Sequence, residues 1–271
     1  MSLTSLVKSD KELREKIKST FVRPKLDKNI ELLVESKTGQ TTSSIIGVAF
    51  DYLFRFHIEH INSISNEKSW VSELAMEAYR LRENNKKIYN TGTEIINTVK
   101  TLKKEFLKTG LASDDLIQET LRMAYIDPYY RSEFGAEYIG IKPSQESLDE
   151  LKRQVNLIEH KKFKSKNLCV LNPSFGKASV VVGGADADLI IDTTLLDIKT
   201  TSKLDFTLEM FCQIIGYYSL NKINASESYN ITELGIYYSR YAYLFKFNVN
   251  DLATENELNS FVEWFKAKIK C

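Results

Sequence analysis

Over the first 162 residues, apolar positions recur with a helical period. Across residues 42–64 they fall at Ile46, Phe50, Leu53, Phe54 and Ile58, one face of a helix of about 3.6 residues per turn. Residues 70–89 and 95–106 continue in the same manner. Ser113-Asp-Asp-Leu offers an N-cap for a helix running towards Ile126, which Asp127-Pro128 breaks. Ser144, after Pro143, starts another helix that ends near His160. Strand-like segments come later, at 168–171, 178–182, 185–191 and 195–200. A helix over 207–220, aromatic strands at 234–239 and 241–249, and a helix from Asn250-Asp-Leu to Ile269 complete the reading.

The pattern predicts a mixed α/β (α+β) protein, with a helical half over 1–162 and an α/β half over 163–271. No Pro/Gly-rich linker separates them, so one compact unit is expected. Composition changes this picture little. Hydrophobic residues make up 43% and charged residues 27% of the 271-residue chain, as in a globular protein. The net charge of +1 gives no strong overall field towards nucleic acid or membrane, although a local patch would suffice to bind the former. No apolar run approaches the roughly 18 residues of a membrane span, and residues 1–10 lack a signal-peptide core, so a cytoplasmic protein with no membrane partner is expected. Cys169, Cys212 and Cys271 are widely spaced and suggest neither a disulfide framework nor a zinc cluster.

Candidate chemistry concentrates in Gly183-Gly-Ala-Asp-Ala-Asp-Leu-Ile-Ile-Asp-Thr-Thr-Leu-Leu-Asp-Ile-Lys-Thr200. With Asp192-Thr193 as a hairpin loop, Ile191 pairs with Thr194, Asp188 lies opposite Asp197, and Asp186 lies opposite Lys199. Alternation then puts the three acids and the lysine on one face, with Ala187, Leu189, Leu196 and Ile198 on the core face. Opposed carboxylates repel unless a cation lies between them. A hard divalent ion such as Mg²⁺ or Mn²⁺ would supply it, polarise a phosphoryl oxygen and acidify a bound water. Lys199 would orient that water or stabilise developing negative charge. The plainer alternative pairs Asp186 with Lys199 and uses Asp188 to cap a turn.

These residues resemble the PD-(D/E)xK nuclease superfamily, particularly its RecB-like branch. The resemblance covers roughly residues 170–249. It rests on Asp188-Leu189-Ile190, on Asp197-Ile198-Lys199-Thr200, and on Gln213 and Tyr217 four apart on a following helix. It implies a restriction-endonuclease-like core, a mixed sheet flanked by helices. It also implies Mg²⁺ or Mn²⁺ on Asp188 and Asp197, Lys199 as catalytic lysine, and Gln213 with Tyr217 lining the site. The implied activity is phosphodiester hydrolysis in a nucleic acid, with DNA the expected substrate. The family's upstream helix often carries a further acid. Residues 42–64 look like that first core helix, with Glu59 and then Asp51 as candidate metal ligands and the segment up to Pro143 as a helical insertion. An ion-pair ladder of Asp51, Arg55 and Glu59 is the competing reading. Two other functions remain open: a catalytically inactive nucleic-acid-binding or scaffold protein of the same fold, and a hydrolase of smaller phosphate esters.

Other features invite plainer readings. His57 and His60 are three apart and fit a helix-surface pair better than a metal site. The run Lys161-Lys-Phe-Lys-Ser-Lys166 suits a phosphate backbone or a solvated loop equally. Tyr237, Tyr238, Tyr241 and Tyr243 around Arg240 suit core packing more than base stacking.

Overall fold

A computed structural model describes residues 2–65, 68–83, 85–132, 135–224 and 227–270. The protein is mixed α/β, and its chain divides into two compact units. One comprises Met1–Glu31 with Ser165–Cys271, the other Leu32–Lys164. This differs from the expected single unit split near residue 162: the N-terminal residues belong with the sheet, and the helical segment between forms a unit of its own.

The helical unit is built around α3 (Gln40–Asn62). Ile46, Phe50, Leu53, Phe54 and Ile58 are all buried, as their spacing predicts, and Ala49, Tyr52 and Phe56 are buried too. A helix buried on so much of its circumference is the centre of its unit. The expected helix over 70–89 is interrupted. Its first part is α4 (Val71–Arg82), and its last residues join the next segment as α5 (Lys86–Thr109), whose start is fixed by Asn85 accepting from the amides of Lys87 and Ile88. α6 (Asp114–Ala124) carries the predicted Ser113 cap, and α7 (Asp127–Ser132) starts at the Asp-Pro break. The helices α8 (Gln145–Asn156), capped by Ser144, and α9 (His160–Phe163) close the unit. α3 packs against α5, α6, α8 and α9.

The other unit opens with α1 (Leu3–Ser9) and α2 (Lys11–Thr20). Among the described residues its strands form one five-stranded sheet in the order β1 (Cys169–Leu171), β2 (Leu189–Ile191), β3 (Thr194–Lys199), β4 (Glu233–Tyr238), β5 (Tyr243–Asn248). The β3–β4 pair is parallel and the other pairs are antiparallel. The parallel pair requires a crossover, which α11 (Leu208–Ile223) supplies. Helices packing on α11 include α1, α2 and α12 (Glu255–Ile269). The last helix starts at a Thr254–Glu257 capping box, later than the Asn250 start expected, because a 3-10 turn occupies Val249–Asp251.

One expected strand is a helix. Residues 178–182 fall in or just after α10 (Gly176–Val181), where Val180 and Val181 are 77% and 45% exposed. β-branched residues favour strands only where a ladder and packing neighbours exist. Here the Ser179 hydroxyl instead accepts from the Phe175 amide at 2.9 Å and donates to the Ala185 carbonyl at 2.7 Å, closing a compact turn. Gly183 and Gly184 follow with φ of 77° and 112°, the left-handed region open to glycine.

The β2–β3 hairpin has the predicted register: Ile191 pairs with Thr194 and Leu189 with Leu196. Asp192 sits in its turn with φ of 51°. Its carboxylate accepts from the amides of Lys166, Asn167 and Leu168 at 2.7–3.1 Å, and these bonds hold it below the usual carboxylate range. Asp192 is therefore the brace between hairpin turn and β1. We expect Asp192→Ala to cost about 1–2 kcal/mol at neutral pH, the scale of a lost carboxylate cap. The depressed pKa makes this contribution present above about pH 3.9 and lost as pH falls through the lower folded value. Urea unfolding of both proteins at pH 7 and pH 2 checks it; an equal stability gap at both pH values contradicts it.

Candidate active site

The hairpin delivers two acids to one place. Asp188 stands one step before the Leu189↔Leu196 pair, so the register carries it opposite Asp197. Its Oδ2 accepts from the Ile198 amide at 2.6 Å, which ties it across the strands. Asp197 is only 4% exposed, and its Oδ2 lies 2.6 Å from Lys199 Nζ. Around the pair, Leu189, Ile190, Leu195 and Leu196 are at most 2% exposed. Burial of each such side chain contributes about 1.5–3 kcal/mol, enough to hold two carboxylates on adjacent strands despite their repulsion.

α11 adds the next layer. Gln213 and Tyr217, one turn apart, point at the same place. Lys199 Nζ donates to Gln213 Oε1 at 3.4 Å, and Gln213 Nε2 donates to Tyr217 Oη at 3.0 Å. Burial works against the charged form of Lys199, but the charges of Asp197 and then Asp188 outweigh it and hold its pKa above the ordinary lysine value. Burial, followed by the same two carboxylates, pushes the Tyr217 phenol up. Lys199 is thus a firmly protonated ammonium and Tyr217 a neutral hydroxyl at physiological pH. Asp188, Asp197, Lys199, Gln213 and Tyr217 thus lie close together, linked through the Ile198 amide, the Lys199 ammonium and the Gln213 amide.

Other expected members have partners of their own. The β2–β3 ladder ends before Asp186, which forms an isolated bridge with Ser174, while Lys199 pairs with Asp197 instead of Asp186. Glu59 and Asp51 belong to α3 in the helical unit. Glu59 is 3% exposed and its Oε2 lies 2.8 Å from Lys103 Nζ on α5; Asp51 pairs with Arg55 at 2.6 Å. The ladder reading holds for Asp51 and Arg55, whereas Glu59 pairs with the non-local Lys103. The helix expected as the first core helix is the centre of the helical unit, and within the sheet-bearing unit α1 and α2 pack on α11.

α1 was not anticipated at the site. Thr4 Oγ1 lies 3.5 Å from Gln213 Nε2, Lys8 pairs with Glu209 at 3.3 Å, and Leu3 packs against Gly216. The seven residues Leu3–Ser9 carry too few apolar positions to announce this contact.

The remaining features resolve plainly. His57 Nδ1 lies 3.2 Å from His160 Nε2, and His60 Nδ1 is 3.0 Å from the Leu107 carbonyl. Burial and the neighbouring histidines lower the His57 pKa to about 4, so it is a neutral core imidazole. In the basic run Phe163 is fully buried, Lys164 bonds the Ile61 carbonyl, and Lys162 pairs with Glu159 at 2.5 Å. Tyr237, Tyr238 and Arg240 are almost fully buried, which agrees with core packing. Cys169 and Cys212 are in no disulfide, and burial pushes the Cys212 thiol up to about 11; Cys271 lies outside the described residues.

Among the described residues, no group of three or more His, Cys, Asp or Glu side chains gathers as a metal cage. Asp188 and Asp197 offer a two-carboxylate, all-oxygen donor set. That suits a hard ion such as Mg²⁺, which keeps several waters and is often held by one or two carboxylates. Among the described residues no helix is long and apolar enough to cross a membrane. No protein-family model matches the chain, and no curated protein and no solved structure matches it.

Proposed function

We propose that the chain is a metal-dependent nuclease of the PD-(D/E)xK type that hydrolyses phosphodiester bonds in DNA. The observation that carries this reading is the connected group of Asp188, Asp197, Lys199, Gln213 and Tyr217, assembled from one hairpin and the helix that follows it. Asp188 and Asp197 would hold Mg²⁺ or Mn²⁺. When bound, the ion supplies Lewis-acid polarisation of the phosphoryl oxygen and a water acidic enough to lose a proton near neutral pH. Lys199 stays protonated and places its positive charge where the pentavalent phosphate gathers negative charge. Gln213 accepts a hydrogen bond from the Lys199 ammonium, and Tyr217 accepts one from the Gln213 amide.

A second reading, a nuclease-like scaffold without turnover, is favoured by one observation. Both carboxylates already have protein partners: the Ile198 amide for Asp188 and the Lys199 ammonium for Asp197. The two readings part on one experiment: the full chain is incubated with supercoiled plasmid and with single-stranded DNA in Mg²⁺, in Mn²⁺ and in EDTA. The nuclease reading expects cleavage with either ion and none in EDTA. Binding of DNA without cleavage under any condition supports the scaffold. Turnover of a model phosphodiester with every polynucleotide left intact points to a small-ester hydrolase.

A further inference from the structure

The loop between β3 and α11 joins the two halves of the candidate site. Lys199 is the last residue of β3, and Gln213 and Tyr217 stand on α11, so the course of residues 200–207 sets the distance between them. Three side chains from the β4–β5 connection grip this loop. Arg240 Nε donates to the Thr200 carbonyl at 2.7 Å, Tyr241 Oη donates to the Ser202 carbonyl at 2.6 Å, and Tyr238 Oη donates to the Asp205 carbonyl at 2.8 Å. Arg240 and Tyr238 are fully buried and Tyr241 is 8% exposed. The Phe206 ring adds an apolar anchor among Phe211, Phe245 and Phe247. Thr207 then caps α11 by accepting from the Met210 amide.

Arginine is costly to bury, and buried phenols are useful in a core only where the hydroxyl finds a partner. Phenylalanine would fill the sites of Tyr238 and Tyr241 equally well if packing were their whole task. That three polar groups from the end of β4 and the turn after it reach three carbonyls of one loop indicates a task beyond packing. A loop of exposed backbone carbonyls has many competing conformations, and each carbonyl held by a buried donor removes a set of them. Tyr238 also pairs with Lys199 across the β3–β4 ladder, so the grip begins beside the lysine itself.

We infer that Arg240, Tyr238 and Tyr241 are positioning residues: they clamp residues 200–207 and thereby fix Lys199 against Asp197 and Gln213. The inference rests on the nuclease reading for its catalytic consequence, but the clamp itself is tested without turnover. The test uses the full-length Tyr238→Phe/Tyr241→Phe double variant, which keeps both rings, with each single variant and Arg240→Lys as alternatives where the double variant does not fold. Hydrogen exchange is followed across residues 200–207 and across the β3–β4 ladder, and crystals of the wild-type and double-variant chains are compared for the course of residues 200–207 and the place of the Lys199 ammonium. The clamp predicts exchange in residues 200–207 faster by about tenfold or more with the ladder amides unchanged, since two hydrogen bonds are lost. It predicts residues 200–207 displaced in crystals of the double variant, with the Lys199 ammonium moved from its place beside Gln213 Oε1. Where DNA is cleaved, kcat falls about tenfold to a hundredfold with KM unchanged, the signature of misplaced groups. Residues 200–207 and Lys199 unmoved in the double variant, or protection lost equally from loop and ladder, overturns the inference. A wild-type chain that cleaves nothing while residues 200–207 and Lys199 are displaced in the double variant defeats the nuclease reading and sustains the clamp.

Discussion

Replacing Asp197 by alanine is expected to lower metal-dependent DNA cleavage by about a thousandfold or more. A bound divalent ion contributes several kcal/mol of charge stabilisation, and each 1.4 kcal/mol is about a factor of ten in rate. The same substitution leaves the Lys199 ammonium without its partner at 2.6 Å. Breaking a buried pair costs about 3–5 kcal/mol, and the lower end applies because the Lys199 side chain is 24% exposed. Loss of activity through unfolding must therefore be separated from loss of chemistry. The Asp197→Leu/Lys199→Met protein does this: with neither charge present, it should recover most of the stability and none of the activity. The pair also has a pH signature. The folded pKa of Lys199 is raised, so its contribution is fully present below about pH 10.4 and is lost as pH rises through the folded value. Urea unfolding and plasmid cleavage, measured on the single and double variants, check each part; an active double variant would remove Asp197 and Lys199 from the chemistry.

Lys103→Met is expected to destabilise the helical unit by about 3–5 kcal/mol, because it strands the buried Glu59 carboxylate, itself 3% exposed. The Glu59→Met/Lys103→Met double variant should regain most of that loss, since a buried ion pair and a packed apolar pair are often close in free energy. Met is a suitable replacement at both positions because its flexible side chain adapts to irregular space. The double variant also decides the role of Glu59. As a structural partner of Lys103, Glu59 is dispensable for chemistry, and the stable double variant should cleave DNA at the wild-type rate. A folded double variant that has lost metal-dependent cleavage would restore Glu59 as a ligand. Thermal unfolding and plasmid cleavage provide the two readouts.

The parts of the molecule that were legible in the sequence are those set by local rules. The hairpin register followed from side-chain alternation around Asp192-Thr193, and it brings Asp188 opposite Asp197. Ser113 and Ser144 marked helix starts because a hydroxyl before an apolar period satisfies an otherwise orphaned amide. What remained hidden depends on contacts distant in the chain. The sheet-bearing unit is assembled from two segments with the whole helical unit between them, and no local pattern states that α1 belongs with α11. Glu59 and Asp51 looked alike on the helix, yet one finds its own-turn partner Arg55 and the other finds Lys103 on α5. Val180 and Val181 read as strand because propensity counts the side chain and not the absent neighbour. The tyrosines of the β4–β5 connection pointed correctly to a core position, but their hydroxyl partners, the carbonyls of residues 200–207, could not be read from type or spacing.

The proposed chemistry requires Asp188 and Asp197 to share one divalent ion. The most direct measurement is the anomalous scattering of crystals of the full chain grown in Mn²⁺. A single Mn²⁺ peak is expected between the two carboxylates, within bonding distance of an oxygen of each, with remaining positions filled by water or main-chain oxygen. A map in which Lys199 still lies against Asp197 and no Mn²⁺ contacts either carboxylate, at an ion concentration that supports DNA cleavage, would contradict it.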